Sequence, residues 1–180
     1  MPFRSKAKEL LDEAGFNRGN PLEFTLLYNT SENHKKIAVA IASMWKKNLG
    51  VTANLENQEW KTYLDNRRQG NFDVTRAGWC GDYNDASSFL SLMQSNNSSN
   101  DPKYTSKAYD DIMAKALSST SDSEREKLYT KAEQQLAKDM PIAPIYQYVK
   151  ARLVNPKVGG FPANNAEDKL YSKDMYIKAD

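Results

Sequence analysis

Between residues 22 and 79 the hydrophobic pattern switches repeatedly between a period of two and a period near 3.6, and this narrows the available folds more than any other feature. Pro21 leads into Leu22-Glu23-Phe24-Thr25-Leu26-Leu27-Tyr28, an alternating stretch that predicts a strand. Cap-forming Asn29-Thr30-Ser31 then precedes Ile37, Ala40, Ile41, Met44 and Trp45 at helical spacing. Lys46 and Lys47 suit the negative end of that helix dipole, and Gly50 is placed to end it. Val51-Thr52-Ala53-Asn54-Leu55 reads as a second strand, and Trp60-Lys61-Thr62-Tyr63-Leu64 as a short helix ending near Gly70. Phe72 to Trp79 is the third strand candidate, and a first short helix, marked by Leu10, Leu11 and Ala14 and closed by Gly15, precedes them all. Strands alternating with helices predict an α/β layered lobe.

After Trp79 the texture changes. Cys80 to Asp85 is a polar loop, Phe89-Leu90-Leu92-Met93 a brief helix, and Ser95 to Asn100 a low-complexity loop. Helices are predicted over 107–118 and 122–138. The second sets Leu128, Ala132, Gln135 and Leu136 along one side, with a cap from Asp122 or Ser123. Pro141 ends it, Ile142 to Val154 reads as extended, and the tail with Pro156, Gly159, Gly160 and Pro162 shows little periodicity. Such a tail needs another surface to lie on.

The ionisable residues exclude several chemistries. The 25 Lys and Arg against 23 Asp and Glu alternate along the chain, which is not the electrostatic footprint of a nucleic-acid binder. One Cys and one His rule out an internal disulfide and any His/Cys zinc set, and no metal or other cofactor is expected. Gly15-Phe16-Asn17-Arg18-Gly19 lacks the Lys-Ser/Thr ending of a phosphate loop. No Gly-x-Ser-x-Gly elbow is present, and the adjacent Asp110 and Asp111 diverge on a helix as solvated acids. Cys80 with His34 is the remaining enzymatic pair, set against the blander reading of an unrelated Cys and a surface His. The expectation is a protein that is not an enzyme.

The longest apolar run, Ile37 to Ala42, is too short to span a bilayer. Met1-Pro2-Phe3-Arg4 runs straight into a helix with no apolar signal core, so a part of something larger is expected.

A binding reading rests on Arg76-Ala77-Gly78-Trp79-Cys80-Gly81-Asp82-Tyr83-Asn84-Asp85. A strand ending in Gly-Trp that turns into Asp-Tyr offers backbone groups, an aromatic wall and a carboxylate together. That set suits an extended ligand with an amino group. A core Trp79 followed by a polar surface loop is the other reading of the same residues.

Glu59-Trp60-Lys61-Thr62-Tyr63-Leu64, Phe72-Asp73-Val74, Gly78 to Asn84 and Tyr129 to Leu136 resemble the periplasmic oligopeptide-binding proteins, solute receptors of ABC peptide importers in Gram-negative bacteria. Leu26 to Ser31 and Ala151-Arg152-Leu153-Val154 fit the same family, and the resemblance runs from about Lys6 to the carboxy end. Members of that family are much longer and close two lobes over a peptide. The resemblance therefore implies the carboxy-terminal lobe of a type II periplasmic-binding-protein-like fold, incomplete in this chain. Residues 1–140 would form part of the ligand-binding lobe, and 141–180 a return segment that in the family packs on the other lobe. It also implies a periplasmic location, and as partners short peptides, the permease subunits of an ABC transporter at the inner membrane, and the missing amino-terminal part of the same protein.

Site residues follow from the resemblance one by one. Asp82 would pair with the ligand's α-ammonium, a buried ion pair rewarded only when both partners are present. Gly78 and Cys80 would bond the peptide through their main chain, indifferent to side chains. Arg67, Arg76 and His34 would meet the ligand carboxylate at different distances for different peptide lengths, although Arg67 by itself also reads as a solvated helix-end cation. Trp60, Trp79 and Tyr148 would line the pocket, and Trp60 without the resemblance reads as core. In the family the Cys of Gly-Trp-Cys pairs with an upstream Cys that this chain lacks, which implies a free thiol at Cys80. A murein-peptide-binding relative on the same scaffold and a purely structural module are the alternatives that stay open.

Overall fold

The computed structural model describes residues 2–162, 165 and 168–179. Contacts divide the chain into two compact units, Met1–Gly78 and Trp79–Asp180.

In the first unit the elements run α1 (Pro2–Glu13), β1 (Glu23–Asn29), α2 (Glu32–Leu49), β2 (Thr52–Gln58), α3 (Trp60–Gln69) and β3 (Val74–Thr75). The strands form one sheet in the order β2-β1-β3, both pairings parallel, with Leu26 opposite Leu55 on one side and Val74 on the other. As the middle strand of a parallel sheet, β1 is covered on both faces, and Leu26, Leu27, Tyr28 and Asn29 are all buried. Leu26, Tyr28 and Ala38 form the core with Phe24, Trp45, Ala53 and Val74 against them, Phe24 meeting Trp45 edge-on at 5.5 Å. Ser31 caps α2 by accepting the His34 N–H, while Gly50 and Gly70 end α2 and α3 in the left-handed conformation that glycine adopts without strain.

The third strand is shorter than the pattern over 72–79 predicts. Its entry is fixed by Asp73, whose carboxylate accepts the Thr25 N–H at 2.9 Å. Arg76 N–H still reaches the Leu27 carbonyl at 2.9 Å, but the Arg76 carbonyl is engaged by the Tyr63 hydroxyl and residues 76–80 belong to no strand. A side chain from α3 has taken the group that the next rung of the ladder would use.

In the second unit α4 (Ser87–Leu90) runs into a single 3-10 turn, Ser91–Met93, followed by α5 (Lys107–Ser118) and α6 (Asp122–Asp139). The core is helical: Leu90, Met93, Tyr109, Met113, Ala132 and Leu136, flanked by Leu92, Tyr104, Ile112 and Tyr129. Ser121, one residue ahead of the expected cap, accepts the Glu124 N–H and starts α6. Met140 ends α6 at φ 50°, its N–H on the Leu136 carbonyl, and Pro141 follows, which bars the helix from continuing. Residues 142–154 belong to no helix or strand and are exposed, and Val149 and Leu153 are 91% and 105% accessible. The tail, which shows no strand pattern, forms a short antiparallel pair between β4 (Val158–Gly159) and β5 (Tyr176–Ile177). Among the described residues no helix is long and apolar enough to cross a membrane.

Candidate functional site

The loop after Trp79 belongs to the second unit and is held from inside. Asp85 turns its carboxylate inward, where it accepts the Ser87 N–H at 2.9 Å, the Ser87 hydroxyl at 2.6 Å and the Tyr129 hydroxyl at 2.8 Å, and pairs with Arg125 of α6. Burial alone would raise its pKa. The bonds from Ser87 and Tyr129 and the charge of Arg125 overcome that and lower it to about 2. The Asp82 N–H donates to the Ser88 hydroxyl at 2.7 Å, and Lys169 donates to the Asp82 carbonyl at 3.3 Å. The backbone of Asp82 is thereby tied down, and the residue is exposed. Two acids three residues apart are sorted, one inward and structural, the other outward and available.

Trp79 and Cys80 precede Asp82 on the same loop. Trp79 is 40% accessible, which removes the core-Trp reading, and Cys80 is exposed with no disulfide partner among the described residues. Tyr148 lies on the exposed segment 142–154, its ring edge-on to Tyr146 at 4.9 Å.

In the first unit the organising residue is Tyr63. It is wholly buried on α3, with Trp60 stacked on its ring at 5.7 Å and 26°, and Arg67 holding its guanidinium 5.6 Å from the ring centre. Arg67 Nη1 also donates to the Tyr63 hydroxyl at 3.4 Å, and that hydroxyl donates to the Arg76 carbonyl. Trp60 is 51% accessible and is no more a core residue than Trp79. Arg67 is half-buried over an aromatic ring, which corrects the reading of a merely solvated helix-end cation.

Arg76 and His34 form a second group in this unit. A Cβ at Gly78 would come within 3.2 Å of Arg76 Nη2, so the guanidinium lies close over a residue with no side chain. His34 shares a 2.9 Å hydrogen bond between Nδ1 and Asn29 Oδ1. Burial, and after it the charge of Arg76, lower the His34 pKa against an opposing bond from Asn29. The structure thus gathers Trp60, Arg67 and the Arg76 main chain around Tyr63, and sets His34 within the field of Arg76.

One further sequence expectation is resolved. Asp110 and Asp111 do diverge: Asp111 pairs with Lys107 at 2.7 Å, while Asp110 is not simply solvated and accepts the Ser95 N–H at 3.0 Å. Among the described residues no group of three or more His, Cys, Asp or Glu side chains could hold a metal ion. The residues missed in the sequence were Tyr63, Asp85, Ser88, Arg125 and Tyr129. Asp85 carried a signal, since an Asp two residues before a Ser at a helix start commonly bonds that backbone; the others depend on long-range packing.

The second unit presents a carboxylate on a braced loop, and the first unit, by itself, holds two arginines beside an exposed indole. The sequence matches the bacterial extracellular solute-binding proteins, family 5 (middle), over residues 3–101, and the chain belongs to that family. It is 58% identical over 172 residues to the periplasmic oligopeptide-binding protein OppA of Salmonella typhimurium, covering 96% of this chain and 32% of that protein. It is 54% identical over 175 residues to the periplasmic murein peptide-binding protein MppA of Escherichia coli, covering 97% and 33%. Haemophilus influenzae OppA, solved in complex with the peptide RPPGFSPFR, superposes over 97% of this chain and 34% of its own at a TM-score of 0.86 and 49% identity. The chain therefore spans about a third of the length of the relatives it matches, and its mixed helix and strand fold is that of the corresponding part of these receptors.

Proposed function

We propose that this chain is the peptide-holding part of a periplasmic solute receptor that captures short peptides and delivers them to the permease of an ABC transporter, without covalent chemistry. The observation that carries the reading is the sorted pair of acids. Asp85 is bound inward by Ser87, Tyr129 and Arg125, while Asp82 stands exposed on the loop they brace. Asp82 receives the peptide's α-ammonium, and the main chain of Gly78 and Cys80 bonds the peptide backbone. Arg67, Arg76 and His34 attract the carboxylate, and Trp60, Trp79 and Tyr148 offer flat walls that tolerate many side chains. The exposed segment 142–154 and the tail pack on the remainder of such a receptor, whose closure over the ligand supplies most of the affinity.

The test places this chain in the matching third of the Salmonella typhimurium relative and identifies by mass whatever co-purifies. A spread of short peptides with free amino ends is expected, and a single murein peptide would move the reading to the cell-wall receptor. In that protein Asp82→Ala is expected to cost about 2–5 kcal/mol of affinity for a free-amine tripeptide and little for its N-acetyl form. Equal affinity before and after the substitution would sink the amine assignment.

A further inference from the structure

We infer that the Tyr63 hydroxyl is a positioning group, fixing the Arg67 guanidinium for the ligand's carboxylate and tying it to the main chain at Arg76. The ligand part of this inference rests on the peptide reading above.

Trp60, Tyr63 and Arg67 lie three and four residues apart on α3, so their side chains share one face of the helix. Tyr63 is the buried member, and a buried phenol needs partners for its oxygen. It has two of opposite kind. The hydroxyl donates to the Arg76 carbonyl and, with its proton so committed, turns a lone pair to Arg67 Nη1 at 3.4 Å. The ring adds a second hold, since the guanidinium carbon sits 5.6 Å from its centre. A ring contact alone lets the planar fork turn above the face; the bond to the hydroxyl removes that freedom.

An unheld arginine loses much side-chain entropy when it grips a carboxylate, and fixing it beforehand removes most of that cost. The same hydroxyl binds the Arg76 carbonyl where β3 ends, so one oxygen links the helix that carries Arg67 to the chain leading into Gly78. Phenylalanine at 63 would preserve packing, the Trp60 stack and the ring under Arg67, and remove only this linkage.

Two measurements test it with Tyr63→Phe. In the 180-residue chain, nitrogen NMR of the Arg67 guanidinium is expected to show hindered rotation in the native protein and averaged rotation in the variant, with the amide spectrum otherwise retained. Averaged rotation already in the native protein, or no change on substitution, overturns the inference. In the receptor carrying this chain, affinity for a peptide with a free carboxyl end is expected to fall about tenfold, with its C-terminal amide unaffected. Equal losses for both peptides would make Tyr63 merely structural. Arg67→Met should lose the same discrimination, and adding Tyr63→Phe to it should change nothing more; additive losses contradict the coupling. If the native receptor does not distinguish the two peptides, the carboxylate assignment falls, and the guanidinium measurement still decides the positioning.

Discussion

Residues 2–78 and residues 79–179 satisfy their buried backbone groups by different means. In the first region a ladder does most of it: β1 pairs with β2 over seven residues, and Asp73 and Tyr63 add single side-chain bonds to the Thr25 N–H and the Arg76 carbonyl. In the second region side chains stand in for the ladder. Asn100 donates to the carbonyls of Gln94 and Tyr104 at 3.2 and 2.7 Å and accepts the Tyr104 N–H at 3.1 Å. Asn97 bonds the Ser91 carbonyl and the Ser99 N–H, both at 2.8 Å, and the buried Tyr109 hydroxyl donates to the Leu90 carbonyl at 2.6 Å. The lesson is that irregular chain can be as well satisfied as a sheet, but the load concentrates on a few polar residues. The loop carrying Asp82 belongs to this second kind, so its geometry depends on Asp85, Ser87 and Ser88 rather than on a distributed ladder.

The sharpest way to break this contrast is to hollow the helical core. Met113 is wholly buried, and Met113→Ala is expected to cost about 2–5 kcal/mol, read by denaturant unfolding. Amide exchange should place the loss in α5 and α6; an equal loss of protection in β1 and β2 would show that the two regions open as one, and the contrast would not describe their stability.

Asn100→Ala comes next. It strips partners from three backbone groups at once and is expected to cost about 1–3 kcal/mol. Asn54→Ala, on the exposed edge strand β2, is expected to stay within about 0.5 kcal/mol. Thermal unfolding of the two variants compares the regions directly, and similar losses would remove the claim that side chains bear more in the second.

A further effect is one of pH. The Asp85 pKa is lowered from 3.8 to about 2, so its charged form is favoured by the fold. The resulting stability is complete above pH 3.8 and is lost as pH falls through about 2. Melting curves across that window should slope less in Asp85→Asn than in the native chain. Identical slopes would mean that the ionised carboxylate does not hold the loop.

Much of the fold was legible because its signals are local. Ser31, Gly50 and Gly70 sit where helix ends need them, and the spacing of Ile37, Ala40, Ile41, Met44 and Trp45 marks α2 without reference to anything distant. The misreadings share a cause. The third strand was drawn through Trp79 because its side chains alternate, but the Arg76 carbonyl was claimed by Tyr63, thirteen residues away. Trp60 and Trp79 were each open to a core reading beside the pocket-lining one, because indoles are usually covered and nothing local says which surface is left open. The stretch from Ser95 to Asn100 is the low-complexity loop its composition indicates, but composition carries no sign of the bonds that Asn97 and Asn100 make to backbone on either side.

By itself the sequence determined the alternation of strands and helices, their ends, and the motifs that mark a solute-binding protein, since these depend on periodicity, caps and short words of residues. The tertiary structure alone decided which of two acids in one loop faces outward, which aromatics stay exposed, and which buried hydroxyl holds an arginine. Those outcomes depend on pairings between residues far apart in the chain, such as Asp85 with Arg125 and Tyr129, and a linear pattern carries no term for a partner forty residues away.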